Sequence, residues 1–186
     1  MSDPGADARE RAVTTTWGDY EIGPLRPAEV EELAAAHRRI WQSTYATLLS
    51  AEALARLTPE AFVHPWTERA QLLAQDKPLP GGEQILIVRS GGSPVGFISV
   101  GDPRDDEPPA ARQVWALNLL PEHHGTGLAQ EMMRRGLGDR EAYLWVARGN
   151  DRAVRFYRRQ GFTTDGASQE RRDGMTEIRM VRRSAG

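Results

Sequence analysis

The residues best suited to chemistry lie in one short run, Leu117-Asn118-Leu119-Leu120-Pro121-Glu122-His123-His124-Gly125-Thr126-Gly127-Leu128-Ala129. A stretch of strand character meets a proline, which has no amide to give to a sheet. Two glycines follow, and then a helical pattern begins. Gly125 and Gly127 remove side chains where the chain turns into that helix. Free backbone amides converge there on the positive end of the helix, an arrangement that holds anions. A diphosphate is the guest that suits it. Two other phosphate-binding patterns fail. A P-loop needs Lys and then Ser or Thr after its last glycine, where this chain has Leu128-Ala129. A dinucleotide fingerprint needs a third glycine where Gln130 stands. Taken alone, the run reads equally well as a glycine-rich turn opening an ordinary helix.

Composition narrows the alternatives. With no cysteine, disulfides, thiolate metal sites and a cysteine nucleophile are excluded. The four histidines, His37, His64, His123 and His124, form no ligand set at a known metal spacing, so no metal site is expected. The His123-His124 pair reads as solvated surface. A net charge of −2 gives no electrostatic case for nucleic acid. No stretch approaches the roughly 20 apolar residues that span a bilayer. The polar start, MSDPGADARERAVTTT, lacks the apolar core of a signal peptide. A cytoplasmic protein with no membrane partner is the expectation.

The elements around the run follow from pattern. The 186 residues suit one domain. Residues 1–16 read as a disordered tail and 17–183 as a single α+β domain, helices first and sheet second. Trp17 to Leu25 predicts a first strand, and Pro27 sits where the start of a helix tolerates it. Val30, Leu33, Ala34, His37, Ile40 and Trp41 recur at helical spacing. Further helices are expected over 51–57 and 59–75, with Pro59 and Pro65 leaving their ends open. Gln84–Arg89 and Val95–Val100, joined by Ser90-Gly91-Gly92-Ser93-Pro94, form a hairpin signature. A polar, acidic loop over 102–112, read as solvated, precedes a strand over 113–120. A helix over 126–137, with Leu128, Met132, Met133 and Leu137 apolar, and a strand over 143–147 follow. Asn150 suits an N-cap, and Gly161 a helix stop over which Phe162 packs back. Strands over 162–167 and 176–181 finish the sheet.

A second stretch changes the weight of the first. Leu144-Trp145-Val146-Ala147 leads into Asn150-Asp151-Arg152-Ala153-Val154-Arg155-Phe156-Tyr157-Arg158-Arg159-Gln160-Gly161-Phe162. Here the chain resembles the GNAT family of N-acetyltransferases. That family's Gln/Arg-x-x-Gly-x-Gly/Ala signature falls on His124-Gly125-Thr126-Gly127-Leu128-Ala129. Its Asn-x-x-Ala-x-x-Phe/Leu-Tyr-x-x-x-Gly-Phe motif falls on Asn150, Ala153, Phe156, Tyr157, Gly161 and Phe162. Two motifs in order, about 20 residues apart, are far more specific than either alone. The likeness is good from Ile85 to Phe162 and only outlined in the helical front half.

The resemblance implies a mixed, mostly antiparallel sheet with splayed central strands, flanked by helices. It implies transfer of an acetyl group from acetyl-CoA to an amine, on a small molecule or a peptide, by direct attack. Leu117, Asn118 and Leu119 would offer backbone to pantetheine. The amides from His124 to Ala129 would hold the diphosphate, Asn150 would touch the cofactor arm, and Tyr157 would give its proton to the leaving thiolate. A thiolate whose conjugate acid has a pKa of about 8.5 leaves more readily with that help. On helical spacing alone, Tyr157 is a core residue beside Ala153 and Phe156.

Two departures from the family pattern stand out. His124 replaces Gln/Arg, which leaves the nearby amides untouched. Gln113 and Trp145 stand where many relatives carry an acidic general base, so no base is assigned; Asn118 or Asp102 could anchor a water chain. Trp41 and Tyr45 fit either an acceptor cleft or the core. The missing base keeps open a second reading, a non-catalytic acyl-CoA-binding or sensing domain. The acceptor and the oligomeric state, a homodimer included, stay open.

Overall fold

The computed structural model describes residues 14–46, 48–171 and 173–184. It begins with a hairpin, β1 (Thr15–Trp17) against β2 (Tyr20–Gly23), turning at Gly18 with a φ of 55°. This corrects two expectations. Thr15 and Thr16 belong to a strand and not to a tail, and the one strand expected from Trp17 is split in two. A left-handed turn that glycine adopts at little cost makes the split. Residues 1–13 of the expected tail lie outside the described residues.

Pro27 opens a short 3-10 turn that runs into α1 (Val30–Tyr45). The side chain of Ser50 caps α2 (Ala51–Ala55) by accepting from the Ala53 amide, and Thr58 caps α3 (Pro59–Ala74) through the Ala61 amide. Such caps satisfy first-turn donors that no intrahelical carbonyl reaches. Pro65 lies inside α3 without ending it. These helices bury Leu33, Phe62 and Trp66 against Ile87 and Phe97 of the sheet.

The rest of the chain supplies β3 (Gln84–Ser90), β4 (Ser93–Gly101), β5 (Gln113–Leu119), α4 (Leu128–Gly136), β6 (Ala142–Ala147), α5 (Asp151–Arg159), β7 (Thr163–Glu170) and β8 (Thr176–Arg182). All eight strands form one sheet in the order β1-β2-β3-β4-β5-β6-β8-β7, so the first hairpin joins the later strands instead of preceding them. The four apolar positions expected on α4 are buried in the core with Val88 and Ile98, which alternate along their strands with Ile87 and Phe97. Alternation puts these two sets on opposite faces, so helices cover both sides of the sheet. Arg89 is fully buried and holds Glu29 at 2.6 Å and the Pro24 carbonyl at 2.6 Å, clasping β3 to the segment that leads into α1.

One seam is unlike the others. β4 and β5 pair antiparallel through six partners, Gly96↔Leu119 to Gly101↔Gln113. β5 and β6, the one parallel neighbour pair among the described residues, share the single partner pair Gln113↔Tyr143. Beyond that point the two strands diverge, as the resemblance implies. Gln113 secures the point of divergence: its buried Oε1 accepts from the Tyr143 hydroxyl at 3.0 Å and the Arg104 amide at 2.9 Å.

Candidate active site

The divergence of β5 from β6 opens a cavity of about 620 Å³ whose walls include Trp41, Tyr45, Asn118, Asn150 and Tyr157. A second cavity of about 430 Å³ continues it past Gly125 and Gly127. The two share Leu117, Leu119, His124, Arg152, Ala153 and Tyr157, so they form one channel. Nine of the sequence-derived site residues line it: Leu117, Asn118, Leu119, His124, Gly125, Gly127, Ala129, Asn150 and Tyr157. Thr126 and Leu128 do not. Thr126 holds the turn, its hydroxyl donating to the His123 carbonyl at 3.0 Å and accepting from the Leu128 amide at 3.3 Å. The Leu128 side chain is fully buried in the core.

The turn keeps donors in reserve. The His124 amide is committed to the Pro121 carbonyl at 3.1 Å, and the Gln130 and Glu131 amides return to the Gly127 carbonyl. Among the described residues, the amides of Gly125, Thr126, Gly127 and Ala129 make no such backbone bond. Gly125 and Gly127 have φ of 79° and 86°. A side chain on Gly125 would project into open space, so its absence leaves the amides uncovered. Unpaired amides at a helix N-terminus are what an anion needs. The set is narrower than the His124–Ala129 run read from the sequence.

The histidine pair is more engaged than solvated surface. His123 Nδ1 lies 3.0 Å from the Tyr20 hydroxyl. His124 Nε2 lies 2.9 Å from the Leu119 carbonyl, and its Nδ1 faces the Arg152 guanidinium. Burial holds the His124 pKa below the ordinary value; the Leu119 carbonyl opposes this and the Arg152 charge reinforces it. Sequence reasoning passed over Arg152, although it sits one turn before Phe156 on α5. It lines both halves of the channel and supplies a fixed positive charge beside the glycine turn.

Tyr157 stands where the halves of the channel meet. Its ring packs edge-on against Phe156 and Phe162, so the core position expected from spacing and the channel position expected from the motif are both realised. Its hydroxyl has no hydrogen-bond partner among the described residues. Burial, and secondarily the neighbouring Tyr45, push its pKa well above the ordinary phenol value. The hydroxyl therefore stays protonated across the physiological range. Asn150 caps α5 through its Oδ1, which accepts from the Ala153 amide at 3.1 Å, and this sets the orientation of the helix that carries Tyr157.

Of the positions where a base or the anchor of a water chain was sought, Asn118 lines the channel, whereas Gln113, Trp145 and Asp102 are engaged elsewhere in the structure. Trp145 donates from Nε1 to both Asp105 oxygens, at 3.1 and 3.2 Å, and Asp105 also pairs with Arg179 at 3.2 Å. Asp102 pairs with Arg112 at 2.8 Å. The acidic loop is thus tied down by ion pairs rather than merely solvated. His37 is not a proton acceptor either. Burial, helped by Arg69, lowers its pKa to about 3, and its Nδ1 already accepts from Trp66 Nε1 at 3.2 Å. Trp41 meets both expectations: it packs against the core cluster of Phe62 and Trp66 and, with His37, Trp115 and Ala116, borders both the channel and an adjoining cavity of about 370 Å³. That cavity is walled by Phe62, Trp66 and Phe97 and contains the Glu83 carboxylate, which sequence reasoning missed. Glu83 is held by Ser99 Oγ at 2.6 Å and Arg69 Nε at 2.9 Å.

Comparison with known proteins agrees with this geometry. A family model described as "Acetyltransferase (GNAT) family" matches residues 51–162. A probable N-acetyltransferase of Mycobacterium tuberculosis is 25% identical over 151 residues, covering 80% of this chain and 82% of that protein. The mycothiol acetyltransferase of Geodermatophilus obscurus is 30% identical over 125 residues, covering 60% of this chain and 41% of that protein. Among solved structures, the PaiA N-acetyltransferase of Thermoplasma acidophilum in complex with coenzyme A superimposes with a TM-score of 0.67 at 18% identity, covering 88% of this chain and 98% of that one. The family match, the divergent seam and the relatives named as acetyltransferases lead to one conclusion: this chain is an acyltransferase enzyme and belongs to the acetyltransferase (GNAT) family.

Proposed function

We propose that this enzyme transfers an acetyl group from acetyl-CoA to an amine by direct attack of the amine on the thioester. The observation that carries the reading is the junction at Tyr157. An unpaired, protonated hydroxyl stands there between a cluster of free amides and a cavity open to an acceptor. The solved relative from Thermoplasma acidophilum contains coenzyme A in the same fold, which supports the donor assignment.

The residues divide the work along the channel. The amides of Gly125, Thr126, Gly127 and Ala129, with Arg152 beside them, hold the diphosphate. The open edge of β5 at Leu117, Asn118 and Leu119 offers backbone groups to the pantetheine arm, and Asn150 fixes the angle of α5 against that arm. Acetyl-CoA supplies an acyl group already activated as a thioester. The protein's contribution is alignment, and a well-oriented pair reacts far faster than free reactants. As the amine nitrogen bonds to the carbonyl carbon, the carbon–sulfur bond breaks and Tyr157 hands its proton to the departing thiolate. The proton lost by the nitrogen leaves through solvent, since every carboxylate near the junction is bound by a cation. An amine of lysine-like pKa near 10.4 is only about 0.1% neutral at pH 7.4, so amines of lower pKa are favoured acceptors.

A thiol-release assay with acetyl-CoA and a panel of amines, peptides and aminoglycosides tests the reading. Release of coenzyme A that depends on an amine, with acetylated amine recovered by mass spectrometry, is the expected result. Tight binding of acetyl-CoA without turnover on any amine would favour a binding domain and overturn the reading.

A further inference from the structure

The cavity beyond Trp41 carries information about the acceptor that the transfer chemistry does not use. It has two parts. The inner part, about 370 Å³, touches the channel through His37, Trp41, Trp115 and Ala116. The outer part, about 620 Å³, joins it through Arg69, Glu83, Arg104 and Trp115 and opens between α3 and the loop after β4. The inner walls are aromatic: Trp66 and Phe97 pack edge-to-face at 4.8 Å, and Phe62 meets His37 at 4.9 Å. A cavity of about 150 Å³ accepts benzene, so the inner part has room for a substituted ring.

The charges on these walls are unequal in their engagement. Glu83 is paired with Arg69, and Asp102 with Arg112. Glu68 points to solvent beside His64. Arg104 is different. Its guanidinium carbon sits over the Trp115 ring, 3.5 Å from the centroid. Among the described residues, that guanidinium forms no ion pair and no side-chain hydrogen bond, although Glu83 and Arg69 lie near enough to act on it through space. The stack is itself held in place. Trp115 Nε1 donates to the Asp102 carbonyl at 3.0 Å, and the ring covers Gly101 so closely that a Cβ there would come within 2.3 Å of it. The Arg104 amide is fixed to Gln113, the residue at the point where β5 and β6 diverge. A planar fork fixed in this way, with its donors unused, suits a carboxylate. It lines the two outer spaces and not the channel that contains Tyr157.

We propose that the acceptor is an amine that carries a carboxylate remote from its nitrogen, across an apolar or aryl spacer. The amine reaches past Trp41 to the thioester, the spacer lies among Trp66, Phe97 and Trp115, and the carboxylate docks on Arg104. This rests on the acetyl-transfer reading above and deepens it by naming a substrate class.

The test is calorimetric, on the full chain saturated with coenzyme A, using 4-(aminomethyl)benzoate and its amide, 4-(aminomethyl)benzamide. The acid is expected to bind at least tenfold more tightly than the amide, the scale of a hydrogen bond to a charged partner. Arg104→Gln is expected to erase that preference, weakening the acid about tenfold and leaving the amide within about twofold. Its acetyl-CoA affinity and melting temperature should match those of the parent. Equal binding of the two probes, binding of neither, or equal weakening of both by Arg104→Gln would overturn the proposal. Failure of acetyl-CoA itself to bind would instead remove the reading on which it rests.

Discussion

The two edges of β5 face neighbours in opposite ways. Toward β4 the strand is closed along its length, and at Gly96 the contact is so tight that a Cβ would lie 2.3 Å from the Asn118 carbonyl. Toward β6 it touches at Gln113↔Tyr143 and then stands free. A buried backbone group ordinarily finds a partner, so a strand closed on one side and open on the other is built to receive one. The closed seam holds the fold. On the proposed reading the open seam, with the glycine turn at its mouth and Tyr157 at its joint, holds the chemistry.

Breaking the closed seam should have the largest effect. Gly96→Val drives a branched side chain into the Asn118 carbonyl and the Leu119 side chain. Overpacking typically costs about 1–3 kcal/mol, and more where backbone stands in the way, so the midpoint of denaturant unfolding should fall accordingly. A midpoint unchanged from the parent would mean that the seam is looser than its register suggests. The open seam should respond in the opposite sense, in rate and not in stability. Tyr157→Phe removes one hydroxyl and keeps the ring against Phe156 and Phe162. General-acid assistance contributes about 10²- to 10⁴-fold, and partial replacement by water places the expected loss of kcat near the lower end. Acetyl-CoA affinity should barely move, because the hydroxyl matters as the sulfur becomes anionic. Equal kcat in the two proteins would remove Tyr157 from the reaction.

Much of this division can be read in the residues themselves. Gly125 and Gly127 beside Pro121 announce an open turn, and Asn150 with Gly161 brackets α5 so well that Tyr157 could be placed before any coordinates. Local signals were sufficient there because caps and turns depend on a few neighbours. What was missed depends on partners far along the chain. Gly18 splits the first strand only because β2 finds β3 almost 70 residues later. Glu83 drew no attention and Arg104 fell within the loop read as solvated. What sets them apart is Ser99 and Arg69 on the one and Trp115 under the other, and Trp115 is the residue left without a partner by the register shift between Ser99 and Val100. Spacing cannot announce such an arrangement. The acidic loop likewise looked solvated because Trp145 and Arg179, which engage Asp105, lie on later strands.

The account turns on the claim that acetyl-CoA occupies the open seam, and amide hydrogen exchange measures that directly. Addition of saturating acetyl-CoA should slow exchange by roughly tenfold or more at the amides of residues 125–129 and at those β5 amides that face β6. Amides along β3 and β4 should keep their rates. Uniform slowing of the whole sheet, or no change at residues 114–129 while acetyl-CoA is bound, would contradict the account.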